Sequence, residues 1–508
     1  MYIEFYGAAG CVTGSCHIMV ANEKNILLDC GLFQGRDEKE MGNEEFPFDP
    51  KTIDYVILSH SHIDHSGRLP LLYKKGFKGD IIATKATADL CRSMLIDSGH
   101  IQEMETEWKN RKRMRLGLQK IEPLYTAKLG ELTSYLLKGI DYDEKLELFE
   151  GFQIRFKDAG HLLGSAITEI FIKEKEKEEV KIVYSGDIGN IRIPILRDPS
   201  IIEEADYIIM ESTYGNRNHE IIEQEFEGLA EIIEETFKKG GNVVIPSFAV
   251  GRTQEVIYIL NKFVENKRLK DIKVYVDSPL AAESTRIFEK HIDYYDDEAK
   301  SLVLKGDNPL SFDGLYFTSS VEDSVKVNKI QKGAVIISAS GMCEAGRIKH
   351  HLKHNLWRKE SSIVFVGYQA EGTLGRSILD GSKKVSIFGE DIAVNAKIYN
   401  LPGLSGHADK KGLLNWVKGY KKGPKEILLV HGDKDAQKAF KKLLEENGFK
   451  ARNMGIGEKY YINEADESAK DTKARLIKYI SSIRDMDNIS RDEILEKVKN
   501  ILYDDEII

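Results

Sequence analysis

Hydrophobic positions early in the chain come in short bursts closed by glycine, asparagine or aspartate: "YIEFYGA", "CHIMVA", "NILLDCG", "DYVILSH" and "GDIIATKAT". Bursts of that length, rich in β-branched and aromatic residues, predict strands joined by turns. From Ala86 to about Lys120 the spacing becomes helical and charged, and strands then return in "GFQIRFKDAG", "SAITEIFIK" and "VKIVYSGDIG". The mixed-charge run "KEKEKEEV" between the last two predicts a solvated hairpin turn. At Asp206 the style changes. "DYIIMESTYG" reads as a strand, a long helix follows, and then strand and helix alternate through "NVVIPSF", "GRTQEVIYILNKFV", "KVYVDSP", "GAVIISASG" and "SSIVFVGYQ". Such alternation predicts a parallel sheet flanked by helices. From about Val394 short strands resume in "VNAKIYN" and "EILLVHGD", around one helix. The pattern therefore predicts an α/β domain over 211–394, inserted into a domain built from 1–210 and 395–465. A helical extension over 466–508 follows, with Ser490 placed as a cap and with either a dimer contact or plain capping as its task.

Composition narrows the class. A chain of 508 residues exceeds one hydrophobic core, and 42% apolar with 31% charged residues is the balance of a soluble globular protein. No apolar run reaches the length of a membrane span, and "MYIEFYGAAG" lacks the basic-then-apolar order of a secretory leader. Five cysteines, an odd number scattered along a long chain, argue for a reducing compartment. The expectation is a cytoplasmic protein with no membrane partner. A net charge of −9 with a pI near 5.9 speaks against a protein that coats nucleic acid generally. It leaves room for an enzyme that binds phosphate at a local cationic site.

The candidate chemistry begins at "HSHIDHSG", directly after a strand. Residues two apart in an extended segment point the same way, so His60 and His62 can share one ion. Asp64 and His65 sit on the following turn and can face a second. Imidazole and carboxylate together suit Zn²⁺. More ligands are expected at other strand ends: His161 in "DAGHLLGS", Asp187 in "VYSGDIGN", where a carboxylate could bridge two metals, and His431 in "ILLVHGD". Asp29 in "ILLDCG" is suited to holding a ligand histidine by its other ring nitrogen.

These motifs resemble the metallo-β-lactamase fold superfamily, and the inserted block resembles the β-CASP cassette found in homologues of the cleavage and polyadenylation endonuclease subunit. The resemblance covers the chain to about residue 465. It implies an αββα sandwich with an inserted α/β domain. It also implies two zinc ions per chain: His60, His62 and His161 hold one, Asp64, His65 and His431 hold the other, and Asp187 bridges. The cassette's hallmarks read as Glu211 in "MESTYG", His407 in "GLSGHAD" and His431 in "LVHGD". RNA-directed members resemble this chain in carrying histidine at the last of these positions, which implies RNA as substrate. The implied reaction is hydrolysis of RNA phosphodiester bonds, endonucleolytic or from the 5′ end, with His407 as general acid paired to Glu211.

Two glycine-rich loops, "SASGMCEAGR" and "GYQAEGTLGR", each follow an apolar strand and could cradle phosphate with backbone N–H groups. Ser340, Gly341, Arg376 and Arg347 are the expected substrate contacts. His17, His100, His219, His291, His350, His351 and His354 carry no expected role, the last three reading as a partly exposed helix face. Two rival functions stand beside the ribonuclease: a hydrolase of a small ester or thioester, for which Glu211 and His407 serve no purpose, and a non-catalytic RNA-binding subunit, disfavoured because every ligand position is filled.

Overall fold

The computed structural model describes residues 1–175, 178–219, 222–401 and 405–462. The expected helical extension after 465, and with it the expected dimer contact, lies outside the described residues, as does the middle of the charged turn near 176.

Two seven-stranded sheets stack face to face. The first runs, in spatial order, Lys459–Tyr461, Tyr2–Gly7, Cys16–Ala21, Lys24–Leu28, Tyr55–Ile57, Asp80–Thr84 and Leu137–Ile140. The second runs Ala451–Asn453, Glu426–Val430, Tyr207–Glu211, Val180–Tyr184, Ala166–Ile172, Phe152–Asp158 and Lys145–Phe149. Ile3, Phe5, Met19, Ile26 and Leu28 of one meet Phe152, Ile154, Phe156, Ile170, Ile182 and Leu428 of the other in a single buried layer. Each fully buried side chain of this kind contributes about 1.5–3 kcal/mol. Helices cover both outer faces. Leu69, Leu72, Cys91 and Leu95 pack on the first sheet, and Leu413, Trp416, Val417, Phe440 and Leu444 on the second. This is the αββα sandwich.

Burial explains which strands alternate in sequence and which do not. Phe152–Asp158 alternates buried and half-buried along its length, whereas Tyr207–Glu211 and Glu426–Val430 are buried throughout because both of their faces are covered. These last two pair in parallel, register Tyr207 to Glu426, although more than two hundred residues separate them. Both ends of the chain therefore build one sandwich.

Between them lies a six-stranded sheet, ordered Leu315–Phe317, Lys273–Val276, Ala334–Ser338, Val243–Pro246, Ser362–Phe365 and Lys397–Asn400, parallel throughout. One sequence expectation changes here. The boundary at 394 places the strand in "VNAKIYN" in the sandwich, but Lys397–Asn400 pairs with Ser362–Phe365, so the insert runs to Asn400. A short strand carries no mark of the sheet it joins; partner choice is a tertiary effect.

The long helix Lys85–Arg115 starts at Thr84, whose hydroxyl accepts from Thr87 N–H. The hydroxyls of Thr84 and Thr87 both donate to Gly164 O, at 2.6 and 2.8 Å, fixing the loop that carries His161. Among the described residues no helix is long and apolar enough to cross a membrane.

Candidate metal centre and catalytic site

The ligand-type residues of the sandwich sit where strands end at one edge of the two sheets, except Asp64 and His65, which lie on the short helix Ile63–Ser66 just after His62. His60 and His62 follow Tyr55–Ile57, His161 follows Phe152–Asp158, Asp187 follows Val180–Tyr184, and His431 follows Glu426–Val430. The loops between them are tightly packed. A Cβ on Gly31 would fall 1.6 Å from Asp64 O, and one on Gly189 would fall 1.9 Å from Gly160 O, so only glycine allows these approaches. His431 takes φ of 46°, in the left-handed region, with its N–H donating to Ala8 O at 2.5 Å.

Two donor sets result. In the first, His62 Nδ1 lies 3.1 Å from His60 Nε2 and 3.2 Å from His161 Nε2, while Asp187 Oδ2 lies 3.4 and 3.6 Å from those two nitrogens. In the second, His65 Nε2 lies 3.0 Å from His431 Nε2 and 3.3 Å from Asp187 Oδ2. His431 Nε2 is also 3.6 Å from both Asp64 Oδ2 and Asp187 Oδ1. Asp187 thus serves both sets.

The spacing fits metal ions. A tetrahedral ion with ligands at about 2.0–2.2 Å needs donor-to-donor edges of roughly 3.3–3.6 Å, which the carboxylate–imidazole separations of 3.3–3.6 Å match and the ring-to-ring separations of 3.0–3.2 Å approach from just below. In the first set the charge states fit as well. Burial, reinforced by neighbouring imidazoles, holds His60 and His161 well below 6.5, and burial pushes His62 down to about 4. Neutral rings with converging lone pairs repel one another unless a cation sits among them. Burial opposes charge on Asp187 too, yet His431, His65 and His407 hold its carboxyl well below the usual range. Its Oδ1 is buried with no hydrogen-bond partner among the described residues, an orphan that an ion would satisfy.

Supporting groups orient the ligands. Asp29 Oδ2 lies 2.7 Å from His65 Nδ1, and Asp29 itself accepts from Ser59 N–H at 2.7 Å and Tyr184 O–H at 2.5 Å. Thr213 Oγ1 is 3.0 Å from His431 Nδ1. A ring held by one nitrogen presents the other in a fixed direction and tautomer.

His407 stands beside the first set, its ring centroid 4.5 Å from that of His161. Its Nδ1 is 3.2 and 3.3 Å from the two carboxylate oxygens of Glu211. Glu211 is wholly buried and accepts from Ile188 N–H at 2.6 Å. Burial disfavours a charged His407 ring, but Glu211 and Asp187 outweigh it and push the pKa up to about 9. A backbone bridge from Gly189 to His407, flanked by Asn190 N–H to Gly406 O at 2.9 Å and Ala408 N–H to Ile188 O at 2.8 Å, ties this loop to the one carrying Asp187.

Comparison with known proteins identifies the family. Family models match as "Metallo-beta-lactamase superfamily" over 9–224, "Beta-Casp domain" over 253–378 and "Zn-dependent metallo-hydrolase RNA specificity domain" over 391–454. The chain is 36% identical over 458 residues to Ribonuclease TTHA0252 of Thermus thermophilus, covering 90% of this chain and 99% of that one. The chain belongs to the β-CASP family of metallo-β-lactamase-fold ribonucleases. An RNase J-like protein of Methanocaldococcus jannaschii is 31% identical, over 85% of this chain and 92% of its own length. Transcription termination factor FttA of Methanosarcina mazei is 30% identical, over 86% of this chain and 68% of its own length. A crystal structure of a protein of unknown function from Enterococcus faecalis V583 shares the fold, with TM-score 0.50 at 13% identity, over 91% of this chain and 99% of that one.

Against that β-CASP framework the remaining expected residues fall into place unevenly. Gly341 backs onto Phe248, whose ring lies 6.2 Å from His62, so the first glycine-rich loop borders the metal centre. Ser340 Oγ is engaged within its own loop, with Ala345 O at 3.2 Å. Arg376 is half-exposed and clasped to Asp380 at 2.9 Å. Arg347 is turned away, donating to Asp277 at 2.7 Å, to Thr318 O at 3.3 Å and to Ser319 O at 2.8 Å. His351 differs from the expected exposed helix face. It is fully buried, 2.7 Å from Asp277, which makes Asp277 a hub inside the insert. Several residues escaped sequence reasoning. Thr213 and Tyr184 carry common side chains whose meaning depends on what lies opposite. His219 Nε2 is 3.1 Å from His407 O, and Arg252, paired with Glu255, borders Gly406. The run "ESTYG" with a histidine a few residues later was the available signal for Thr213 and His219.

Proposed function

We propose that the metal-dependent ribonuclease activity of this chain uses two zinc ions per chain, with His407 as general acid for the leaving oxygen. His60, His62, His161 and Asp187 would hold one ion and Asp64, His65, His431 and Asp187 the other. The observation that carries the reading is the shared carboxylate: Asp187 Oδ2 is 3.4 Å from His60 and 3.3 Å from His65, so one residue addresses both donor sets. When bound, such a pair of ions activates water and neutralises phosphate charge.

The chain's own groups supply the rest. Because Nδ1 of His407 faces Glu211, its Nε2 is the ring nitrogen left to donate the proton. Glu211 stabilises the charged ring and sets its tautomer, and proton donation of this kind contributes about 10²–10⁴-fold in rate. Asp29 and Thr213 keep His65 and His431 aimed. Ser340, Gly341 and Arg376 are the proposed contacts to the RNA backbone, and Arg347 acts through its loop. All five cysteines are free, which suits a cytoplasmic setting. Buried Glu211 beside His407 favours RNA over a small ester, whose cleavage needs no such pair.

The test is cleavage of one RNA labelled at its 5′ end and, separately, internally, with matched DNA as control. RNA-only cleavage supports the reading, and the products assign the mode: mononucleotides from the 5′ end or discrete fragments. Equal cleavage of DNA, or hydrolysis of a small ester with RNA left intact, would overturn it.

A further inference from the structure

The buried positions of helix Lys85–Arg115 end at Gly99. Beyond it the helix continues for about 24 Å at 1.5 Å per residue. Over 108–120, "WKNRKRMRLGLQK", there are six cations and no carboxylate, in a chain whose net charge is −9. Among the described residues only Arg111 of the six has a carboxylate within ion-pairing distance, Glu107 at 2.7 Å. Trp108 is 54% exposed, with Lys112 Nζ 3.5 Å above its ring, and Met114, Leu116 and Leu118 further along the arm are exposed too. The tip is a built turn. Arg113 Nε donates to Gln119 O at 2.7 Å, and the Asn110 side chain both accepts from Ile121 N–H at 2.8 Å and donates to Ile121 O at 2.9 Å.

Its neighbours place the base of this arm on the side of the proposed RNA-contacting loops. Glu38, on the short helix Gly35–Met41, has its pKa raised first by burial, and it lies within electrostatic reach of both Lys109 and Glu344. Glu344 belongs to the first glycine-rich loop and accepts from Leu374 N–H of the second at 2.5 Å. Arg36 of the same short helix is 3.8 Å from Glu371. The base of the arm at Lys109, the 35–41 helix and the two proposed RNA-contacting loops are thus electrostatic neighbours.

We propose that Trp108–Lys120 is an accessory RNA-binding arm that takes the phosphates of single-stranded RNA extending from the cleft and stacks a base on the open face of Trp108. Cations along a backbone track with an aromatic platform are the chemistry that holds single strands without reading sequence. A second copy of the chain would bring the same unneutralised cations to the contact, whereas a polyanion is complementary to them. The proposal rests on the ribonuclease reading.

The test uses the full chain carrying Lys109→Gln, Arg111→Gln, Lys112→Gln and Arg115→Gln, sparing Arg113, which holds the turn. Cleavage kcat/KM is measured on RNAs of increasing length and at increasing salt. The expected result is unchanged turnover of the shortest RNA and a loss of about tenfold or more on long RNA. The salt slope should shrink by about 0.7 for each phosphate contact removed. Trp108→Ala should abolish an RNA-induced change in tryptophan fluorescence. The proposal is overturned if the ratio of long- to short-RNA turnover matches that of the unaltered chain, or if the substitutions change the oligomeric mass with length dependence intact, which would assign the arm to a second copy. If the unaltered chain cleaves no RNA of any length, the ribonuclease reading fails and this one with it.

Discussion

His407 differs from the ligand histidines in the charge that faces it. Its Nδ1 meets the buried Glu211 carboxylate and its pKa is raised, while burial and neighbouring rings hold His60, His62 and His161 down. His407→Ala should therefore lower RNA cleavage by about 10²-fold or more while metal content and RNA affinity hold, because only a proton donor is lost. Wild-type cleavage rate beside metal content and binding for the same variant checks this; an unchanged rate would remove His407 from the reaction. Its pH dependence follows from the raised pKa. The donor form exists below that pKa, so kcat should fall as pH rises through it. The limb is expected between the ordinary 6.5 and the value of about 9 set by Glu211 and Asp187, since bound cations work against that rise. Glu211→Gln should move the limb to lower pH in a kcat–pH profile, and a limb that stays put would separate Glu211 from the titration. At this scale the ligands were legible because histidine and aspartate at strand ends have few other reasons to cluster. Thr213 and Tyr184 were not, since a hydroxyl acquires a role only from the ring or carboxylate that folding brings to it.

At the scale of elements, two of the candidate ligands are aimed by a second element. Asp29, at the end of Lys24–Leu28, holds His65, and Thr213, just beyond Tyr207–Glu211, holds His431. Asp29→Asn and Thr213→Ala should each weaken metal affinity by about 10–100-fold, with the ion shared by His65 and His431 released first in a chelator titration. Release of both ions together at wild-type chelator concentration would contradict that assignment. In the insert, Asp277 accepts from Thr318, Ser324 and Arg347 and pairs with His351 while wholly buried. Asp277→Ala leaves the Arg347 guanidinium unpaired and should cost about 3–5 kcal/mol, read as earlier unfolding of the insert by hydrogen exchange. The alternation of strand and helix made this domain readable from sequence. Its far boundary was not, because Lys397–Asn400 looks the same whichever sheet it joins.

At the scale of the molecule, the inserted domain and the sandwich share one packed cluster, in which Leu90, Met94 and Leu162 of the sandwich meet Val250, Ile257 and Ile287 of the insert. His431 reaches the centre only because Glu426–Val430 inserts beside Tyr207–Glu211. The two ends of the chain must therefore fold together before either donor set is complete, a long-range pairing with a high closure cost. The inserted arrangement itself was legible in the return of short strands after the α/β stretch. The convergence of all seven candidate ligands at one sheet edge was legible only as an expectation, because distance along the chain says nothing of distance in space.

The measurement that bears most directly on this is the rate of internal RNA cleavage by one preparation, stripped of metal and reloaded with zinc, against zinc bound per chain. Two donor sets joined through Asp187 predict activity that rises with loading and levels off at two ions per chain, with Asp187→Asn binding fewer ions and staying inactive. Full activity at one ion per chain, or two tightly held ions in Asp187→Asn, would contradict a shared two-metal centre.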